Sequence, residues 1–112
     1  MSKATTPTYI DRVYEVTRRV PFGKVTTYGA IADYLDLGSA RMVGWALNKC
    51  GGIEPRVPAH RVVNRKGELS GRNFFATPTM MQQFLENEGL IIENDTIQNF
   101  KENLWNPSVE LS

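Results

Sequence analysis

Two short amphipathic segments separated by a glycine constrain the fold of this chain more than any other feature. The first segment predicts a helix over residues 28–36, with Thr27 as its N-cap and Gly38 as its C-terminal glycine. Ser39 then caps a second predicted helix over residues 40–49. Two helices joined by so tight a turn predict a helix-turn-helix, in which the second is the recognition helix. A helical hairpin in an ordinary core is the alternative, because apolar periodicity alone does not separate the two.

Two further helices are predicted, one on each side of this motif. One covers residues 8–19, where Pro7 precedes the helix and Thr8 caps it. The other begins at Thr77-Pro78, with proline at the first helical position, and ends at Gly89. Its predicted buried stripe consists of Met80, Met81, Phe84 and Leu85.

Short extended segments complete the predicted fold. Residues 61–63 and 68–69 flank the turn 64–67 and predict a β hairpin, or wing. Residues 90–92 predict a buried strand, and the apolar residues that follow predict a C-terminal flap over the core. The predicted fold class is therefore mostly α with a small β hairpin, similar to a winged helix-turn-helix.

Length and composition predict one domain without a membrane span or a metal site. The 112 residues suit a single domain over 1–112, with residues 1–7 and 107–112 expected to be flexible. We expect neither a transmembrane helix nor a secretory signal, since both need a long apolar run. One cysteine, Cys50, and one histidine, His60, cannot form a tetrahedral Cys/His zinc site, and no cofactor is expected. We expect a cytoplasmic monomer, because low cysteine usage is typical of that compartment.

The net charge of +1 hides a split along the sequence. Residues 1–75 carry 12 basic and 6 acidic side chains, a net charge of +6, whereas residues 76–112 have a net charge of −5. The segment from Arg41 to Arg72, with a net charge of +5, contains the predicted recognition helix and wing. This split predicts one face for a polyanion and a second region that avoids it.

Four motifs occur in order along residues 10–92 and share one resemblance. They are Val20–Ala32 (VPFGKVTTYGAIA), Ala40–Gly44 (ARMVG), Pro58–Val63 (PAHRVV) and Leu85–Gly89 (LENEG). Each is weakly specific alone, but the ordered set resembles the DNA-binding domain of the O6-alkylguanine-DNA alkyltransferases. The resemblance implies the C-terminal-domain fold of that family.

The sequence departs from the enzymes of this family at the residue that carries their chemistry. Ala59 stands where the enzymes have the cysteine that accepts the alkyl group, and a methyl side chain has no lone pair for that attack. The resemblance makes His60 and Glu88 the remnant of a Cys–His–Glu relay. Arg72 stands where the enzymes usually have tyrosine, and we expect the protein to lack the enzymes' extra N-terminal domain. All three features are typical of the non-catalytic branch, the alkyltransferase-like proteins.

The resemblance also implies how the chain would contact DNA. Arg41 would enter the duplex as a finger while Tyr28 presses on the target phosphate, so that the damaged base rotates out of the helix. Backbone N–H groups near Thr27 would bind a phosphate. Gly44 and Ala46 are small, which would allow close approach to the minor groove. The implied DNA contacts are Thr27, Tyr28, Ala40, Arg41, Gly44 and Trp45.

A pocket for the damaged base is implied beside these contacts. Its residues are Tyr28, Pro58, Ala59, Val62 and Arg72. Arg72 would lie across the flipped base as a cation–π partner, worth about 0.5–2 kcal/mol. The small Ala59 would leave room for alkyl groups larger than methyl.

These features together predict a sensor of DNA damage rather than an enzyme. It would bind double-stranded DNA containing O6-alkylguanine, flip the base, hold it unrepaired and flag it for nucleotide excision repair, whose proteins would be its partners. In a bacterium it would associate with the nucleoid. One alternative is a methyltransferase whose acceptor cysteine has been replaced by alanine. The other is a winged-helix transcription factor without lesion preference.

Single residues have simpler interpretations as well. We favour His60 as a core histidine with a backbone hydrogen-bond partner, because Ala59 replaces the cysteine that it would deprotonate. Arg41 is alternatively a solvated helix residue and Tyr28 a core residue, although the surrounding motifs favour DNA contacts. Cys50 is expected to be an inert thiol. The sequence does not decide whether Trp45 packs inward or touches DNA.

Overall fold

The computed structural model describes residues 8–50 and 57–112, apart from the side chain of Cys50. The predictions for residues 1–7 and for the Cys50 thiol lie outside the described residues. Within the described part, the elements follow in the order α1 Tyr9–Arg19, β1 Thr26–Thr27, α2 Tyr28–Leu35, α3 Ala40–Cys50, β2 Val62–Val63, α4 Met80–Asn87, β3 Ile92–Glu93, β4 Thr96–Ile97, α5 Phe100–Asn103 and α6 Pro107–Glu110. The predicted mostly helical class is confirmed.

Helices α1, α2 and α3 enclose the first hydrophobic cluster. A capping box starts α1, because Thr8 Oγ1 accepts a hydrogen bond from the Asp11 N–H while the Asp11 carboxylate accepts one from the Thr8 N–H. Val13, Ile31 and Val43, one from each helix, are fully buried together. Burial of these three side chains holds the two helices of the helix-turn-helix against α1.

The helix-turn-helix begins as predicted and ends differently. The Thr27 side chain accepts a hydrogen bond from the Ala30 N–H at 3.0 Å and caps α2. The predicted C-terminal role of Gly38 is wrong. The last residue of α2 is Leu35 and its C-cap is Asp36, which has a left-handed conformation with φ of 58°. Aspartate tolerates this region because its short polar side chain bonds to nearby backbone.

The predicted hairpin between residues 61–63 and 68–69 is wrong. Strand β2 instead pairs in parallel with β1, with Thr26 opposite Val62. Both residues are fully buried, and a buried strand must pair its backbone groups. The pairing therefore joins the PAHRVV segment directly to the start of the helix-turn-helix.

The small β hairpin lies further along the chain, between β3 and β4. Ile92 pairs with Ile97, and the loop residues Asn94 and Asp95 have positive φ angles of 53° and 58°. Two successive left-handed residues are the geometry of a type I′ turn, which suits the twist of a hairpin. Both isoleucines belong to a second hydrophobic cluster beneath this half of the chain, formed by Val25, Val63, Leu69, Met81, Leu85, Leu90, Ile92 and Ile97.

Helix α4 begins at Met80, two residues later than predicted. Its N-cap is Thr79, so Pro78 precedes the helix, and Phe84 is exposed instead of buried in the stripe. Buried Met81 and Leu85 face the second cluster.

The C-terminal segment packs against the rest of the domain. The backbone N–H of Trp105 donates to the Val25 carbonyl at 2.7 Å, and the Trp105 side chain is buried. Leu104, one of the apolar residues after the predicted strand 90–92 that were expected to cover the core, is 42% exposed. Pro107 is buried at the start of α6, which contacts α2; the flexibility of residues 107–112 stays a prediction. Among the helices of the described residues, none is both long and apolar enough to cross a membrane.

Candidate functional site

A groove of about 460 Å³ separates the start of α2 from the exposed face of α3. It is lined by Tyr28, Ala40, Arg41, Gly44, Trp45, Asn48, Ser70 and Phe74. Five of the six residues implied as DNA contacts therefore meet in one groove. The sixth, Thr27, uses its side chain to cap α2. Asn48, Ser70 and Phe74 were missed, although Asn48 follows Gly44 at the i, i+4 spacing of a helix face.

The two faces of α3 explain why the groove is open. Val43, Ala46 and Leu47 are buried against α1 and α2, so the residues between them face outward. The proposed role of Ala46 in close approach to DNA is wrong, because its side chain is buried and its carbonyl accepts from the Tyr14 hydroxyl at 2.9 Å. Of the two small residues expected to allow close approach to DNA, only Gly44 lines the groove.

Trp45 lies on the groove side of α3. Its side chain is 60% exposed, and the Lys49 ammonium lies 4.3 Å from the centre of its indole ring. The structure therefore places Trp45 outside the core and in the lining of the groove, with the Lys49 cation stacked on its ring.

Tyr28 forms the wall between α2 and α3. A Cβ added to Gly44 would lie 3.9 Å from the Tyr28 ring, and one added to Gly71 would lie only 2.7 Å from the Tyr28 hydroxyl oxygen. Burial raises the pKa of Tyr28, while a hydrogen bond with Ser70 opposes that shift. The phenol is therefore neutral near pH 7, and an O–H donor at the groove does not repel a phosphate.

A buried ionic cluster lies behind the PAHRVV segment. His60 Nε2 is 2.7 Å from Glu88 Oε2, and Arg61 contacts the same carboxylate through Nε and Nη2 at 2.9–3.1 Å. Arg61 Nη1 also donates to the Val20 carbonyl, and the Gly23 N–H donates to Glu88 Oε1. The predicted backbone partner of His60 is wrong, because its partner is a carboxylate. Within this cluster, Arg61 was missed by sequence reasoning, since charge spacing along the chain does not reveal a pair 27 residues apart.

Burial and charge set the ionisation of this cluster. Burial lowers the pKa of His60, although its hydrogen bond with Glu88 opposes the shift. Burial alone would raise the pKa of Glu88, but hydrogen bonds from Arg61, Gly23 and His60 hold that pKa below its ordinary value. The cluster at neutral pH is therefore a neutral imidazole beside a carboxylate paired with a guanidinium.

We expect the protein to lose stability as the pH falls from neutral. A group with a lower pKa in the folded chain contributes stability above its unfolded pKa, and that contribution is lost as the pH falls through its folded pKa. The loss from His60 begins below its ordinary value of 6.5, and the loss from Glu88 begins below 4.5. Urea unfolding at several pH values checks this, and the His60→Gln variant should lack the step nearer neutral pH. A rise in stability on acidification from about pH 7 to about pH 5 would contradict it.

The residues implied for the lesion pocket occupy different environments. Pro58 and Ala59 are partly buried at the start of a short 3-10 helix. Val62 is 0% exposed inside the first cluster, so its side chain supports the site from behind and does not line it. Arg72 Nη1 donates to the Leu69 carbonyl at 3.0 Å, and Arg72 Nε lies 3.6 Å from Asp95. The Arg72 guanidinium is thus engaged away from the groove.

Residues 8–50 and 57–112 contain no cluster of three or more His, Cys, Asp or Glu side chains suited to a metal ion.

Comparison with known proteins identifies the family. The model of one family, described as the DNA-binding domain of 6-O-methylguanine DNA methyltransferase, matches residues 8–90. The chain belongs to this family. The matched region contains α1 to α4, and therefore both the groove and the buried ionic cluster, while the β3–β4 hairpin lies beyond it.

Relatives within the family include proteins of similar and of greater length. Alkyltransferase-like protein 1 of Schizosaccharomyces pombe is 38% identical over 88% of this chain and 95% of its own length. The DNA base-flipping protein of Thermus thermophilus is 47% identical over 54% of this chain, and the match covers 40% of that protein. The resemblance to the alkyltransferase family that the motifs predicted is confirmed.

Solved structures of family members confirm the fold. The crystal structure of S. pombe Atl1 with damaged DNA containing O6-carboxymethylguanine has a TM-score of 0.77 and 36% identity, covering 88% of this chain and 95% of that one. The structure of Mycobacterium tuberculosis OGT in complex with DNA has a TM-score of 0.61 and 31% identity. The match covers 74% of this chain and 50% of that one.

Proposed function

We propose that this chain binds double-stranded DNA containing O6-alkylguanine, rotates the damaged base out of the duplex and holds it without repairing it. One observation carries the proposal. Ala59 directly precedes His60, whose Nε2 lies 2.7 Å from Glu88 Oε2, so the relay contact is present while the acceptor position holds alanine. Repair of this lesion by the family's chemistry needs a thiolate to attack the alkyl carbon, and alanine cannot supply one.

The groove and the relatives support DNA as the ligand. Arg41, Gly44 and Trp45 are presented on the outer face of a recognition helix, where a side chain can reach into a DNA groove. The S. pombe relative has been crystallised with DNA carrying an O6-alkylated guanine. A base rotated out of the stack needs a side chain to fill its place, and Arg41 is the long side chain available in the groove.

The absence of alkyl transfer has a direct test. DNA with tritium-labelled O6-methylguanine is incubated with the protein, and the label bound to protein is counted. We expect background counts, whereas one methyl group transferred per protein would overturn the proposal. That outcome would favour an alkyltransferase with an acceptor other than residue 59.

Lesion preference separates a damage sensor from a winged-helix transcription factor. We expect a duplex with one O6-methylguanine to bind at least about tenfold more tightly than the same duplex with guanine, which corresponds to about 1.4 kcal/mol. Gel-shift competition between the two duplexes measures this ratio. Equal affinities combined with a preference for one base sequence would favour the transcription factor. Duplexes with larger alkyl groups should bind as well as the methyl lesion, because Ala59 is small.

We propose further that the protein acts as a cytoplasmic monomer without a cofactor and that its complex flags the lesion for nucleotide excision repair. A lesion that stays in the DNA after recognition requires a second system to remove it. Excision of O6-alkylguanine from a plasmid in cell extract should fall when this protein is depleted and recover when it is added back. Unchanged excision would refute the link to that repair system.

A further inference from the structure

A second cavity of about 430 Å³ adjoins the groove on the other side of Tyr28. It is lined by Tyr28, Gly29, Ala40, Asn64, Arg65, Lys66 and Glu68. Tyr28 and Ala40 line both cavities, so a long ligand lying in the groove can continue into the second cavity. The turn over residues 64–67 forms the wall of the second cavity that faces the helices.

Hydrogen bonds that Asn64, the first residue of the turn, accepts from later backbone N–H groups hold this turn together. Asn64 Oδ1 accepts from the backbone N–H groups of Lys66 and Glu68, each at 2.9 Å, and the Gly67 N–H donates to the Asn64 carbonyl. Gly67 has φ of +79° and lies against Phe100, so close that an added Cβ would be 2.9 Å from that ring. The backbone of the turn is therefore pre-organised, and binding a ligand there costs little ordering entropy.

Several cations in the described part of the chain already have a partner, whereas those on this turn do not. Arg18, Arg19, Arg61 and Arg72 each contact a carboxylate. Arg65 and Lys66 are exposed, and the described residues provide neither side chain with a hydrogen-bond or ion-pair partner. The acidic residue of the cavity, Glu68, accepts a hydrogen bond from Asn64 Nδ2 at 2.8 Å. One oxygen of the Glu68 carboxylate is thus occupied by the Asn64 amide.

We propose that the turn Asn64–Gly67 is a phosphate site. Arg65 and Lys66 would bind a backbone phosphate of the same DNA duplex that Arg41 and Trp45 contact. The inference rests on the proposed function, since the ligand is the same DNA. Two adjacent cations with no partner among residues 8–50 and 57–112, on a pre-organised turn, match a phosphodiester, which carries a full negative charge and offers only acceptors. Such a contact fixes the position of the duplex on the protein and reads no sequence.

The test is the salt dependence of DNA binding by the Arg65→Gln/Lys66→Gln variant. Dissociation constants are measured for undamaged and lesion-containing duplexes between about 50 and about 200 mM salt. The slope of log K against log salt should decrease in magnitude by about 1 to 2, by the same amount on both duplexes. The matched control is Arg18→Gln/Arg19→Gln, which removes the same charge from α1, outside both cavities.

The outcomes separate this site from the proposed function. A slope equal to that of the control variant would overturn the phosphate site, as would a loss confined to the lesion-containing duplex. A wild-type protein without lesion preference would refute the proposed function, while the slope on undamaged DNA would still test the phosphate site. Both substituted side chains are exposed, so urea unfolding should give the wild-type free energy and show that the variant is folded.

Discussion

The Glu88→Ala variant is expected to lose about 3–5 kcal/mol of its free energy of unfolding. The Glu88 side chain is only 6% exposed and accepts hydrogen bonds from Arg61 and from the Gly23 N–H. Without that carboxylate, the guanidinium of Arg61 stays in a site where its side chain is 16% exposed and has no counter-charge. An uncompensated buried charge is among the most destabilising changes that a single substitution makes.

Urea unfolding near pH 7 measures this loss, with Glu86→Ala as the matched control. Glu86 lies on the same helix and is exposed, and its carboxylate contacts the side-chain amide of Gln82. The control should stay within about 0.5 kcal/mol of wild type. A loss below about 1 kcal/mol for Glu88→Ala would contradict the stabilising role given to the cluster.

The Arg41→Ala variant is expected to bind the O6-methylguanine duplex at least about 30-fold more weakly, which corresponds to about 2 kcal/mol. Arg41 is exposed in the groove beside Tyr28, and no described residue pairs with its side chain. In the proposed flipped complex its side chain would fill the space that the base has left, so alanine would leave the gap open. Fluorescence anisotropy with a labelled duplex provides the measurement.

The control for Arg41 is Arg12→Ala, which removes one exposed positive charge from α1, outside the groove. Arg12→Ala should change binding by less than about threefold, because a distant surface charge is largely screened by salt. Unchanged binding by Arg41→Ala would remove Arg41 from the site. Equal losses in both variants would show that only general electrostatic attraction had been measured.

Local signals in the sequence predicted the helices well. Thr8 and Thr27 were identified as N-caps because a capping side chain acts within three residues of its own position. The outward face of α3 was only partly recognised: the ARMVG motif identified Arg41 and Gly44 through the family resemblance, whereas Ala46 was placed on the wrong face and Trp45 was left undecided. The turn at Asn94-Asp95 is also a local feature, but it was not predicted, because Asn-Asp is a weaker hairpin signal than Asn-Gly.

Contacts between distant segments were harder to predict. The segment PAHRVV has a strand pattern, but nothing in it specifies that Val62 pairs in parallel with Thr26 rather than within a hairpin. The partner of Arg61 was missed for the same reason, as was the engagement of Arg72 with Asp95. Side chains with several possible partners are placed by the tertiary fold and not by their neighbours in sequence.

The pairing of Arg61 with Glu88 also bears on how fragments of this protein should be made. The basic part of the sequence looks like a complete DNA-binding module, yet a fragment ending before α4 would lack the counter-ion of Arg61. It would also lack Met81 and Leu85 from the second cluster and the Trp105 N–H that donates to Val25. The segregation of charge along the sequence is therefore not a domain boundary, and the shortest fragment fit for binding studies must extend through Trp105.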